Sequence, residues 1–143
     1  MLIGEYKYNL DEKKRLTLPS KFRVILGKKA VITKGMDGCL FMYSEKEWKE
    51  IALKLAKLPF SQSNARSFAR VMLAGAMDVA IDSMGRVLVP DYLKEFAGLT
   101  RKVVVAGLYS RIEIWDEDNW EKYNKDNSDH IGDIAEGLKE FEI

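Results

Sequence analysis

The chain has 143 residues, 23 Lys and Arg against 22 Asp and Glu, a formal net charge of +1, and 47% hydrophobic residues. That is enough apolar content for one folded domain with a real core, and it excludes a disordered chain. One cysteine, Cys39, excludes an intrachain disulfide and fits a reducing compartment. The opening stretch lacks the basic and apolar regions of a signal peptide, and no apolar run approaches the ~18–20 residues of a membrane span. A soluble, cytoplasmic protein is expected. The near-neutral total hides a gradient. Residues 1–35 hold nine bases and three acids, whereas residues 113–143 hold three bases and eleven acids. Such asymmetry points to an anionic partner for the N-terminal part.

Tyr6, Tyr8 and Leu10 alternate with polar Lys7 and Asn9, the period of a half-buried strand. After the polar stretch Asp11–Arg15, Leu16 and Leu18 flank Thr17, and Pro19 ends the strand because it lacks an N–H. The two strands are expected either to form a β-hairpin or to be joined by a tight loop. Ser20 is placed to cap a short helix that Gly27 stops. A strand over 30–33, a turn at Asp37-Gly38 and a strand over 39–43 read as a second hairpin. Ser44, with Glu47 three residues on, opens an amphipathic helix to about Leu58. Residues 59–64 break the chain, and 64–74 look helical. Strands follow over 77–81, 87–89, 103–105 and 111–115, with a short helix over 91–97 before Gly98. Asp116 caps a helix to about Tyr123. Residues 124–130 read as a loop, and a last amphipathic helix is expected over 131–141.

The order repeats. Asp11-Glu-Lys-Lys-Arg15 with Pro19 recurs as Asp82-Ser-Met-Gly-Arg86 with Pro90, 71 residues on. Beyond Gly27 and Gly98 the offset becomes 72, matching Val31 with Val103, Gly35 with Gly107, Glu45 with Glu117 and Trp48 with Trp120. The predicted organisation is a single domain, 1–143. It has two repeats, about 5–58 and 77–123, a helical linker 59–76 and an acidic helical tail 124–143. Two such copies suffice to close a small barrel without free edges.

The repeats differ where chemistry would sit. The first pair of strands exposes Lys7, Asn9 and Thr17, and its loop adds Lys13 and Lys14 beside Arg15. The equivalent face of the second carries Ala80 and Leu88, and its loop offers Arg86 alone. The second is therefore expected to be buried on both faces, with Asp82 and Arg86, like Asp11, fixing the turn. The first is expected to bind DNA through a basic two-stranded tip that fits the major groove. Arg66 and Arg70, neighbours on one helix face, read as surface or interface residues, and Trp48 and Trp120 as core. Catalysis has little support. His130 is the only histidine, Cys39 reads as a buried inert thiol, and there is no zinc-ligand spacing and no Gly-rich phosphate loop. No metal and no cofactor are expected.

These motifs resemble the MraZ family of bacterial transcriptional regulators. The resemblance runs through Gly4-Glu-Tyr6, Leu10-Asp11 to Pro19 with Lys21-Phe-Arg23, and Gly35-Met-Asp-Gly-Cys-Leu-Phe41. It continues through Ala65-Arg66 with Phe68, Asp82 to Pro90, and Arg111-Ile-Glu-Ile-Trp115. It implies an α+β fold, an internally duplicated swapped-hairpin β-barrel of the AbrB/SpoVT-like kind with flanking helices. It also implies a homo-oligomeric ring on the nucleoid. That ring would bind double-stranded DNA at operator direct repeats upstream of the chain's own cell-division and cell-wall genes. The family's DNA-contacting arginine maps onto Arg15, and Lys13, Lys14 and Lys7 are added from charge and alternation. An antitoxin-like or scaffold module, with the basic face meeting an acidic partner, is the alternative. In one respect the chain departs from the family: Lys14 stands where glycine is usual, whereas the second motif keeps Gly85.

Overall fold

A computed structural model describes residues 1–142. Among these residues there are eight strands and six α-helices, together with one π-helical and one 3₁₀ turn. The first half contributes β1 (Leu2–Asn9), β2 (Arg15–Thr17), α1 (Ser20–Leu26), β3 (Lys29–Lys34), β4 (Leu40–Ser44), α2 (Glu45–Ala56) and α3 (Ser63–Ala69). The second contributes β5 (Met77–Ala80), β6 (Arg86–Leu88), α4 (Asp91–Phe96), β7 (Lys102–Tyr109), β8 (Ile112–Asp116), α5 (Glu117–Ser128) and α6 (Ile131–Glu136).

All pairings are antiparallel, in a six-stranded sheet of order β1-β7-β8-β4-β3-β5 and a two-stranded sheet β2-β6. The order is unchanged when the halves are exchanged. Of the two readings of the first two strands, the hairpin fails and the tight loop between unpaired strands holds. β1 pairs with β7, in register Leu2 to Tyr109, and β2 pairs with β6 through Leu16 and Val87. Alternation had marked the inward face of each strand, and a face does not name a partner. The Asp37-Gly38 hairpin does form, with both residues at positive φ. Hydrogen bonding thus draws an α+β fold of two antiparallel sheets.

Strand parity sorts the core into two layers. Leu40, Met42, Val103, Val105, Ile112 and Ile114 point to one face, where they meet Leu16, Leu18 and Val87 with Phe22 of α1 and Leu93 of α4. Tyr6 and Tyr8 are half-buried against this layer, and Tyr6 meets Phe22 edge-on at 5.5 Å. Phe41, Tyr43, Val104 and Trp115 occupy the opposite face beneath α2 and α5, from which the equivalent Trp48 and Trp120 join them. Aromatic contacts at 5.7 Å (Tyr43–Trp48) and 5.4 Å (Trp115–Trp120) seal it.

Helix ends show which local signals win. Ser44 caps α2 by accepting from the Glu47 N–H, and Asp116 caps α5 by accepting from the Asn119 N–H. Ser20 makes no cap. The N-cap position of α1 is Pro19, as Pro90 is for α4. The helix expected over 64–74 splits into α3 and a π-helical turn, Arg70–Ala74. There the buried Thr33 hydroxyl donates to the Met72 carbonyl at 2.7 Å, tying the turn to β3. α5 runs to Ser128, through residues read as a loop. β7 extends to Tyr109 because Gly107 lets the β1 backbone at Leu2 and Ile3 approach where a Cβ would collide. The C-terminal helix α6 ends before Gly137, and a single 3₁₀ turn, Lys139–Phe141, follows.

Candidate nucleic-acid interface

Each Asp-x-x-x-Arg loop is folded by its aspartate. Asp11 Oδ1 accepts from the backbone N–H of Lys13 (2.9 Å) and of Arg15 (2.8 Å), while Oδ2 accepts from Arg15 Nε at 2.8 Å. Asp82 repeats this with Met84 (3.0 Å) and Arg86 (2.8 Å), and with Arg86 Nε at 2.9 Å. In both loops these bonds, the arginine's backbone N–H first, hold the aspartate below its ordinary carboxylate value. A carboxylate that receives two backbone donors and one guanidinium nitrogen has most of its acceptor capacity turned toward its own loop, so its first role is to fix the turn. It also leaves the terminal nitrogens of Arg15 and Arg86 uncommitted to the brace.

The residue before each arginine is left-handed. Lys14 has φ 60° and Gly85 φ 77°. Lysine therefore adopts the conformation glycine provides in the second loop, at the steric cost of a Cβ in that region. The loops also fasten each other. The Leu18 N–H donates to the Gly85 carbonyl and the Val89 N–H to the Lys14 carbonyl, both at 2.9 Å. The two tips thus lie on either side of the β2–β6 ladder as one unit.

The basic residues read from sequence fall in two places. Lys13, Lys14 and Arg15 stand together on the first loop. Lys13 is exposed and has no carboxylate partner among the described residues, whereas Lys14 pairs with Asp91 at the start of α4. Lys7 is elsewhere. It lies on β1 with its ammonium 3.7 Å from Glu117 and 3.5 Å from Glu121 of α5. The same helix anchors to β1 through Trp120 Nε1, which donates to Glu5 at 2.7 Å. Part of the charge gradient is therefore answered within the chain.

The expectation that the second loop is buried on both faces is overturned. Leu88 is 59% exposed and Met84 61% exposed, and Ala80 is also exposed. The side chains of Arg86 and Arg15 are similarly open, at 26% and 32%. An apolar letter at a strand position signals a covered face only when something covers it, and among the described residues nothing lies over Ala80 and Leu88. Burial therefore does not separate Arg86 from Arg15, whereas the flanking lysines do.

The remaining candidates are satisfied structurally. Arg66 donates to the Phe60 carbonyl at 3.0 Å, tying α3 to the preceding loop. Cys39 is buried, and burial, with the Glu113 charge second, pushes its thiol up to about 12. Sequence reasoning missed Glu113. It is buried on β8 and accepts from Arg111 at 2.9 Å and from Trp115 Nε1 at 3.1 Å. Its signal was an acid flanked by Ile112, Ile114 and Trp115 within one strand. Among the described residues no helix is long and apolar enough to cross a membrane.

A family profile described as "MraZ protein, putative antitoxin-like" matches the chain twice, over residues 1–71 and 72–139. Three relatives each bear the name transcriptional regulator MraZ, a name that denotes a regulator and not an enzyme. The chain is 48% identical to the protein of Caldicellulosiruptor saccharolyticus over 143 residues, all of both chains. It is 45% identical to that of Caldanaerobacter subterraneus subsp. tengcongensis and 44% identical to that of Lactobacillus johnsonii, again over the full length of each. Two tandem matches to one profile, and identity sustained from end to end, establish that the chain belongs to the MraZ family.

Proposed function

We propose that the protein is a sequence-specific DNA-binding transcriptional regulator whose first loop enters the DNA groove. The observation that carries this reading is the braced tip at Asp11–Arg15. With Nε committed to Asp11, the terminal nitrogens of Arg15 remain for the O6 and N7 acceptors of a guanine. Lys13 and Lys14 stand beside it as phosphate contacts, once Lys14 leaves Asp91. Lys7 serves at the margin, where a phosphate must displace Glu117 and Glu121. Asp11 and Asp82 are structural in this reading, and Arg86 braces the second turn.

The exchange of strands between halves and the twofold profile match support reading the chain as one domain of two repeats. In that reading the two sheets belong to one swapped-hairpin barrel. Assembly into a homo-oligomeric ring on cytoplasmic, nucleoid-associated DNA would let several tips engage direct repeats upstream of the chain's own cell-division and cell-wall genes. Simultaneous engagement multiplies modest contacts. Selection from random duplex DNA is the test. Enrichment of a repeated motif is expected, and Arg15→Ala should lose that motif in a gel shift while keeping its fold. Failure to enrich any motif would favour the alternative, an antitoxin-like or scaffold module. The pairing of Lys7 with acidic α5 gives that alternative its support, as a basic face that meets carboxylates.

A further inference from the structure

Arg23 belongs to α1 of the first half, yet its guanidinium lies against the loop of the second. Arg23 Nε donates to the Leu18 carbonyl at 2.9 Å. A Cβ built at Gly85 would fall within the guanidinium itself. The guanidinium thus sits against Gly85, immediately before Arg86, in space that a Cβ at that position would fill. Among the described residues no carboxylate pairs with it, unlike Lys7, Lys14, Arg15, Arg86 and Arg111. An arginine held at Nε and unpaired at both terminal nitrogens is a preorganised fork for an oxyanion.

The repeat gives this arrangement a meaning. Position 14 of the first loop is equivalent to position 85 of the second. The first loop carries its own cation there, as Lys14. The second has none, and Arg23 is inserted from the other half. Both tips therefore present a positive charge beside the motif arginine, one in cis and one across the pseudo-twofold.

We propose that Arg23 is a phosphate-binding residue of the nucleic-acid interface, contacting the DNA backbone next to the second loop, with Gly85 retained to admit it. The proposal rests on the DNA-binding reading above and adds a residue and a second loop to it. Phosphate contacts carry no base preference, so Arg23 should strengthen all duplexes alike.

The test measures affinity for two fluorescein-labelled duplexes, one enriched by selection and one of shuffled sequence, across a salt series. Arg23→Gln should weaken both duplexes by the same factor and reduce the slope of log Kd against log salt by about 0.9, one phosphate contact. Arg23→Lys should keep the slope. Gly85→Ala, which expels the guanidinium while leaving Arg23 in the chain, should lose it. If Arg23→Gln does not fold, the contrast between Arg23→Lys and Gly85→Ala carries the test. An unchanged slope in Arg23→Gln or Gly85→Ala, even with a lowered Tm, would assign Arg23 to folding and overturn the proposal. If the wild-type protein binds neither duplex, the DNA-binding reading itself falls.

Discussion

Replacing Lys14 by alanine and, separately, by glycine isolates the backbone of the first loop. Both changes remove the pair with Asp91, whose partners are largely exposed, with side chains 44% and 68% open. Such a pair contributes about 0–1 kcal/mol. The variants then diverge. Alanine keeps a Cβ at φ 60°, where left-handed backbone costs roughly 1–2 kcal/mol. Glycine removes that cost but adds about 0.5–1 kcal/mol of backbone entropy lost on folding. The glycine variant should therefore be the more stable of the two by roughly 0.5–1 kcal/mol, and close to wild type. At an ordinary position the order is reversed. Urea unfolding monitored by Trp fluorescence reads this as a higher midpoint with an unchanged slope m. In a heat scan the difference is about 2–4 °C. The two variants should lose DNA affinity equally, since each removes the same cation. An alanine variant as stable as the glycine variant would refute the left-handed assignment. It would also refute the geometric equivalence of Lys14 and Gly85.

Three further outcomes follow from other parts of the structure. Thr33→Val keeps shape but removes the hydroxyl that holds the Met72 carbonyl, and should cost about 1–2 kcal/mol in the urea midpoint. Cys39, with its thiol pushed up to about 12, should resist alkylation at pH 8 in the native protein and react promptly in denaturant; rapid native labelling would contradict its burial. Asp11 and Asp82 are held below their ordinary value. Their contribution is present above the unfolded carboxylate value near 3.9 and is lost as pH falls through the lower folded value. Asp11→Asn with Asp82→Asn should flatten the acid limb of the Tm profile, and an unchanged limb would place the acid sensitivity elsewhere.

Much of this structure was legible in the sequence because the signals were local. The caps at Ser44 and Asp116, the turn at Asp37-Gly38, the stops at Gly27 and Gly98 and the two Asp-x-x-x-Arg loops each depend on a few neighbouring residues. Long-range features were not legible. Alternation in Tyr6–Leu10 showed a buried face, but hairpin adjacency suggested β2 as partner, and β7 took that place. The π-helical turn depends on Thr33, far from it in sequence. α5 outran its apolar pattern because Tyr123 packs on Trp115 at 5.2 Å and the polar residues beyond it cost the helix little. In the candidate site, the braces and the charged tip could be read from spacing. The placement of Lys7 against α5, the Lys14–Asp91 pair and the seat of Arg23 required the fold. The openness of the second loop went unseen because Ala80 and Leu88 have the composition of a covered face.

The exchange of strands between halves also bears on how the protein is made. Leu2 lies opposite Tyr109 and Tyr8 opposite Val103, so the first strand synthesised has its partner 95 to 107 residues further along the chain. The only ladder that the first half can complete by itself is β3–β4. Loop closure of this length precedes any reward from pairing, which slows folding. A nascent chain therefore leaves the ribosome with β1 unpaired, its tyrosines uncovered and its edge open to neighbouring chains. The order of strands in the finished sheet thus assigns to β7, late in synthesis, the step that ends the vulnerable period of the first strand.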